Sequence, residues 1–173
     1  MKILSLHCDY IKFKPVKKAL KNPEDLTEER KKEVEVKEAL VIFIAVEKGD
    51  NISLVSELVK NIEDISSQIK SKKIVLYPYA HLSSNLAPAD LALKILEEAD
   101  KQLEKKKYHV SRAPFGYYKE FELKCKGHPL AELSREIKSN VNEIEKFDYK
   151  QALKSLGKTT LDRSKLKDND HRI

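Results

Sequence analysis

The sequence predicts an α/β fold in which mixed β-sheets pack with two main amphipathic helices. Three observations carry this. Residues 38–47, EALVIFIAVE, form an apolar, β-branched run that suits a central strand. Two later segments space their apolar residues by three and four, as a helix with one buried stripe requires. Strand-like and helix-like segments interleave, while some strands follow one another too closely for a crossover, so antiparallel pairs join the parallel ones.

Taken in order, residues 2–7 read as a first strand. Residues 10–16 (YIKFKPV) alternate apolar and basic, which suggests a second strand with one wet face. Pro15 suits the end or edge of that strand because it has no N–H to give a neighbour. Residues 22–33 (NPEDLTEERKKE) form a polar connection with room for a helical turn. After the 38–47 strand, Gly49-Asp50-Asn51 breaks the chain. From 52 to 70 the apolar side chains fall at Ile52, Val55, Leu58, Val59, Ile62, Ile65 and Ile69, a helix capped by Asp50 or Asn51. A strand over 73–79 follows. A second helix starts near Pro88, with Leu91, Ala92, Ile95, Leu96, Ala99 and Leu103 as its stripe, and dissolves into Glu104 to Lys107. Residues 114–126 (PFGYYKEFELKCK) read as a strand after a Pro-Phe-Gly turn. Residues 129–137 fit helix, which propensity favours, or strand. From 138 the chain turns polar, with a short helix at 147–156 and an aperiodic linker beyond.

Hydrophobic residues make up 40% of the 173 and charged residues 36%, inside the globular range. No apolar run approaches about 18 residues, so no segment reads as a membrane-spanning helix. The start MKILSLHCDY is interrupted by Asp9 and Lys12 and reads as a strand, not a signal peptide. Two cysteines, Cys8 and Cys125, make no disulfide framework, and a reducing cytoplasm is expected. The net charge of +6 is uneven: residues 50–100 hold 5 Lys/Arg against 8 Asp/Glu, residues 101–140 hold 10 against 5, and residues 150–173 hold 7 against 3. A basic second half fits a polyanion such as nucleic acid, and a lysine-rich solvated surface accounts for the same excess.

The stretch VLYPYAHLSS at 75–84 ends a buried run with Tyr77, Pro78, Tyr79 and then His81. Ligands of α/β sheets gather beyond the carboxyl ends of strands, where this places His81. Tyr77 and Tyr79 are expected to alternate faces, with one in the core. Gly116-Tyr117-Tyr118-Lys119-Glu120 opens another strand with a cation suited to holding a water or an oxyanion. Ser83 and Ser84 lack a Gly-x-Ser-x-Gly elbow and read as caps of the next helix. Gly157-Lys158-Thr159 is no phosphate loop, since Ala152 stands where the first glycine belongs and no strand precedes it. Cys125-Lys126-Gly127-His128 has half a zinc knuckle's spacing; without a second pair nearby, a buried cysteine and a turn histidine explain it. No metal and no small cofactor is required by these residues.

Three pieces match together: the opening KILSLHCDYI, the segment YPYAHLSSNLA, and RAPFGYYKEF followed by HPLAELSR. In this order and spacing they resemble the N-terminal editing domain of archaeal-type threonyl-tRNA synthetases, over roughly residues 1–137. The resemblance implies a D-aminoacyl-tRNA deacylase-like fold and hydrolysis of mischarged seryl-tRNA(Thr), sparing threonyl-tRNA(Thr). Threonine exceeds serine by one methyl, and a difference of that size gives only about 1–3 kcal/mol of discrimination, so a second, tighter site is needed. DNDHRI at 168–173 resembles the opening of the synthetase's catalytic part. The expected organisation is an editing domain over 1–147 and a linker over 148–173, with the catalytic domain C-terminal to it; a freestanding editing protein is the alternative.

The resemblance also implies roles. His81 anchors the terminal ribose or nearby substrate groups. Lys119 positions the attacking water and offsets charge on the ester oxygen, assisted by the tRNA's terminal 2′-hydroxyl. Tyr118 and Glu132 shape the seryl pocket. Main-chain groups near Ala45, Pro78 and Ala80 hold adenosine and amino acid, with Phe115 and Gly116 beside them. The implied partners are the tRNA(Thr) acceptor end carrying serine, met by the basic 101–140 segment, and a second copy in a homodimer. A noncatalytic acceptor-end binding module and a general D-aminoacyl-tRNA deacylase are the rival readings.

Overall fold

A computed structural model describes residues 1–138. The helix expected at 147–156, the Gly157-Lys158-Thr159 stretch, the 148–173 linker and the 168–173 match lie outside the described residues. Six strands form one mixed sheet among those described, in the order β4-β3-β2-β1-β5, with β6 also pairing β1. The strands are β1 (Lys2–Lys18), β2 (Val34–Ala45), β3 (Lys73–Pro78), β4 (His109–Arg112), β5 (Tyr117–Cys125) and β6 (Glu132–Glu136). The helices are α1 (Val55–Ile69) and α2 (Ala89–Lys105). The α/β architecture with a mixed sheet and two main helices is therefore the observed one.

The two strands expected over 2–7 and 10–16 are a single strand, β1. It runs antiparallel to β2, and its register against β5 slips between Cys8 and Tyr10 and again between Pro15 and Lys17. Such a bulge reverses which residues face inward. Leu4, Leu6 and Cys8 face one cluster before the slip, and Ile11 and Phe13 face the same cluster after it. That break of parity is why the sequence pattern divides there. Pro15 lies past the last β1–β2 pair, Phe13 with Val34, so its missing N–H deprives β2 of nothing.

β2 is the central strand. It pairs β1 on one side and β3, in parallel, on the other. Its residues 39–45 are at most 4% exposed because both faces are covered. Leu40, Ile42 and Ile44 join the cluster under α1 and α2, whereas Ala39, Val41 and Phe43 join the opposite one. The chain enters α1 through a short turn at Ile52–Leu54, whose start is capped by Asn51, its side chain accepting the Ser53 N–H at 3.0 Å. Asp50 is used elsewhere, accepting the Glu47 N–H at 2.7 Å.

Two strands go beyond the sequence reading, and one cap departs from it. β4 was not foreseen; it pairs β3 in parallel and carries the chain from α2 back to the sheet. Residues 132–136 are a strand, because the Lys2–Leu6 stretch of β1 offers an edge that β5 does not reach. Ser83 does not cap α2: its hydroxyl donates to Glu47 Oε1 at 2.5 Å and accepts the Asn85 N–H at 3.1 Å, while α2 starts after Pro88 without a side-chain cap.

Candidate active site

The parallel strands β2 and β3 both end at Ala45 and Pro78, and a cleft of about 680 Å³ opens beyond them. This is the position the topology favours for a ligand. Pro78 ends β3, and the Tyr79 N–H donates to Ile44 O at 2.8 Å, so the turn that follows is anchored to β2. The turn Ala80–Leu82 then sets Ala80 and His81 at the exposed mouth. The opposite wall is the start of β5 with its preceding turn, from Phe115 to Lys119. Ala19 and Leu20, just past β1, close one side.

Tyr77 and Tyr79 do not alternate faces. Residues two apart in an extended chain point the same way, and their ring centroids lie 6.2 Å apart. Both pack on Phe43 at 5.0 Å, and Phe121 from β5 joins them. Tyr77 is the core member, its phenol pushed well above the usual range by burial. His81 meets Tyr79 edge-on at 5.3 Å, which extends the aromatic cluster to the mouth.

Lys119 shares its face of β5 with Tyr117 and Phe121 and so enters this aromatic wall. Its Nζ stands 5.1 Å from the centroid of the Tyr77 ring and donates to Tyr117 O at 2.9 Å. Burial pushes the amine down to about 8, and the field of Glu24 opposes the fall. The ring faces favour the cation that burial disfavours. An ammonium held by one carbonyl keeps two N–H bonds for a water or a developing oxyanion. Tyr118, on the other face of the strand, lines the rim and is 62% exposed.

A family model described as the archaea-specific editing domain of threonyl-tRNA synthetase matches residues 1–137. This chain belongs to that editing-domain family. The chain is 51% identical over 140 residues to a threonine–tRNA ligase of Thermococcus kodakarensis, covering 79% of this chain and 22% of that protein. It is 47% identical over 148 residues to a threonine–tRNA ligase editing subunit of Saccharolobus solfataricus, covering 86% of this chain and 37% of that one. The chain thus spans about a fifth to two fifths of the length of these relatives. Among solved structures it is similar to the c-Myc DNA unwinding element binding protein, with a TM-score of 0.59 and 11% identity, covering 80% of this chain and all of that one. A likeness at that identity shows a shared fold alone.

In this chain, Ala45, Pro78, Ala80, His81, Phe115, Gly116, Tyr118 and Lys119 come together around the cleft. Glu132 does not join them. It is exposed at the start of β6, in register with Leu6, and its charge is felt at Cys125. Tyr77, Tyr79, Tyr117, Phe121, Leu20 and Glu24 were not singled out as site residues from sequence. Strand parity with Lys119 marks Tyr117 and Phe121. Nothing distinguishes Glu24 from the other acids of its polar segment. Several of the basic residues of 101–138 have acidic partners: Lys106 pairs Glu63, Arg112 pairs Glu24, Lys124 and Lys126 pair Asp9, and Arg135 pairs Asp64. Cys125 and His128 are likewise engaged separately, the sulfur near Lys126 O and the His128 ring against His7 Nδ1 at 2.8 Å. No cluster of three or more His, Cys, Asp or Glu suited to a metal ion occurs among the described residues.

Proposed function

We propose that the chain hydrolyses the ester of mischarged seryl-tRNA(Thr), releasing serine and sparing threonyl-tRNA(Thr). The observation that carries the reading is the Lys119 ammonium in an aromatic cleft at the carboxyl ends of β2 and β3, in a chain of the editing-domain family. A water oxygen attacks the seryl carbonyl carbon, and the carbonyl oxygen takes up negative charge. Lys119 orients the water and offsets that charge through its remaining N–H bonds. The bond from the carbonyl carbon to the ribose oxygen then breaks. One proton of the water ends on the ribose oxygen, with the adjacent terminal 2′-hydroxyl assisting, the other is released to solvent, and serine leaves as its carboxylate. His81 anchors the ribose at the mouth, and main-chain groups near Ala45, Pro78 and Ala80 hold adenosine and amino acid. Tyr118 contributes from the rim. Glu132, remote from the cleft of a single chain, is assigned to the seryl pocket by the family resemblance alone.

The partners in this proposal are the tRNA(Thr) acceptor end, a second copy in a homodimer, and a catalytic domain reached through residues 148–173. Its place of action is the cytoplasm. The greater length of the ligase relatives supports the domain arrangement. No helix of the described residues is long and apolar enough to cross a membrane.

The test is release of labelled amino acid from seryl-tRNA(Thr) and threonyl-tRNA(Thr), with the parent and with Lys119→Ala. Loss of serine alone, abolished by the substitution while tRNA binding persists, is expected. Survival of both esters at high protein concentration refutes the hydrolytic reading and leaves an acceptor-end binding module. Release from D-aminoacyl-tRNAs generally, without preference for serine, indicates the broader deacylase.

A further inference from the structure

The side of the cleft made by Ala19 and Leu20 belongs to none of the sequence motifs. It is pinned by Glu24, a carboxylate only 8% exposed. Glu24 Oε1 accepts Arg30 Nη2 at 2.6 Å and the Phe115 N–H at 3.1 Å. Its Oε2 accepts Arg112 Nη1 at 2.5 Å. The Glu24 carbonyl accepts the Tyr117 hydroxyl at 3.0 Å. The Ala19 and Leu20 N–H groups donate to Gly116 O at 2.8 and 3.1 Å. Gly116 holds φ +81, and a Cβ there would come within 2.7 Å of Pro23 Cβ. Segment 19–24 and the 115–117 turn are therefore locked into one unit.

We propose that Glu24 is a positioning residue for the hydrolytic reaction, holding the Phe115–Lys119 turn and the Ala19–Leu20 wall so that the Lys119 ammonium is presented to the cleft. The inference rests on the ester-hydrolysing reading of that cleft. Three points support it. Tyr117 is held at both ends, its hydroxyl on the Glu24 carbonyl and its own carbonyl under Lys119 Nζ. Lys119 makes no ion pair among the described residues, and the field of Glu24, a carboxylate at one remove, opposes the effect of burial on its amine. A direct pair would consume the N–H bonds that the reaction needs, whereas Glu24 biases the amine toward the ammonium and leaves those bonds free. Arg112 is in turn shared with Asp100 at 3.5 Å, which ties the unit to α2. The remaining titratable groups around Lys119 are the phenols Tyr77, Tyr79, Tyr117 and Tyr118 and the His81 ring.

The experiment compares the parent with Glu24→Gln and Glu24→Asp, and with Glu28→Gln as a control at an exposed site of the same segment. Two readouts are taken: the pH profile of seryl-tRNA(Thr) hydrolysis, and the titration of the Lys119 amine by NMR, which needs no activity. Glu24→Gln is expected to lower kcat on the order of tenfold or more with little change in KM. It is also expected to move the Lys119 midpoint downward, and Glu24→Asp to restore most of that midpoint. Unmoved Lys119 titration in a folded Glu24→Gln protein, with only Tm lowered, overturns the proposal and leaves Glu24 a structural pin. If Glu24→Gln does not fold, Arg30→Gln loosens the same carboxylate from a half-exposed position; a severalfold fall in kcat supports the proposal and an unchanged kcat overturns it. If the parent hydrolyses no ester, the functional reading fails and with it the positioning role, whereas an active parent together with a Lys119 midpoint moved by Glu24→Gln supports both.

Discussion

Leu58, Ile62 and Ile65 of α1 share one cluster with Leu40, Ile42 and Ile44 of β2, whereas on the other face of the sheet Phe43 meets Tyr77, Tyr79 and Phe121. The first face is aliphatic throughout its centre, and at the carboxyl end of β2 its Ile44, Ala92 and Leu96 also line the cleft. Branched side chains packed to interior density supply cohesion without direction. The second face is aromatic, and its ring centroids lie 5.0–6.5 Å apart in tilted or edge-on pairs. Rings present negative faces, so this side can accept a half-buried ammonium that the aliphatic side would expel. The charged group of the cleft thus sits on the aromatic face of the sheet, while the aliphatic face supplies most of the cohesion and part of the cleft wall.

The division can be broken first at Lys119. Lys119→Ala should lower hydrolysis of seryl-tRNA(Thr) by about 10²-fold or more in single-turnover measurements. Its Tm should hold or rise, because removing a desolvated charge removes a cost. A large fall in Tm would show that the aromatic face depends on the amine for its packing. The converse test is Ile62→Ala, at a fully buried position of α1. It should cost about 2–5 kcal/mol in urea unfolding while the folded fraction keeps its kcat. Gly116→Ala should cost about 1–3 kcal/mol, since a positive φ and the approach to Pro23 both resist a side chain, and should also slow hydrolysis by displacing the cleft wall.

The pH dependence sharpens the same contrast. With the Lys119 amine at about 8, a rate that needs the ammonium should fall as pH rises through that value. The linkage to stability has the opposite sense. Below about 8 the group is charged whether folded or not. Between about 8 and its ordinary 10.5 the unfolded chain holds a proton that the folded chain has released. The contribution of Lys119 to stability therefore rises across that window. Urea unfolding of the parent and of Lys119→Ala above and below the window should show the rise in the parent alone. The smallest effect is expected at Phe121, whose ring is 43% exposed. Phe121→Ala should cost about 1 kcal/mol and let the Lys119 midpoint climb toward its ordinary value, read by NMR.

The helices and the central strand were legible because their patterns are local. The 3–4 spacing of 52–70 and the β-branched run of 38–47 each fix a buried face without reference to the rest of the chain. β4 was not legible, because four residues of mixed polarity (HVSR) become a strand only through pairing with β3. β6 was ambiguous for a related reason: its segment favours helix, and an open edge of β1 decided otherwise. Of the site, chain position pointed to His81 and Lys119, while Ala45, Pro78, Ala80, Phe115 and Gly116 came from the family resemblance. Glu24 stayed hidden because its partner Arg112 is 88 residues away.

The sequence by itself determined the α/β class and the two helices with their buried stripes, through spacing within short windows, and the family, through the resemblance of three separate pieces across residues 1–137. Tertiary structure alone decided that Tyr77, Tyr79, Phe43 and Phe121 form one wall, that Lys119 is desolvated inside it, that Glu24 is buried between two guanidinium groups, and that Glu132 lies outside the cleft. Burial and electric field depend on what other strands bring near. A residue's type and spacing set what it can do, and the neighbours supplied by folding set its charge state and its reach.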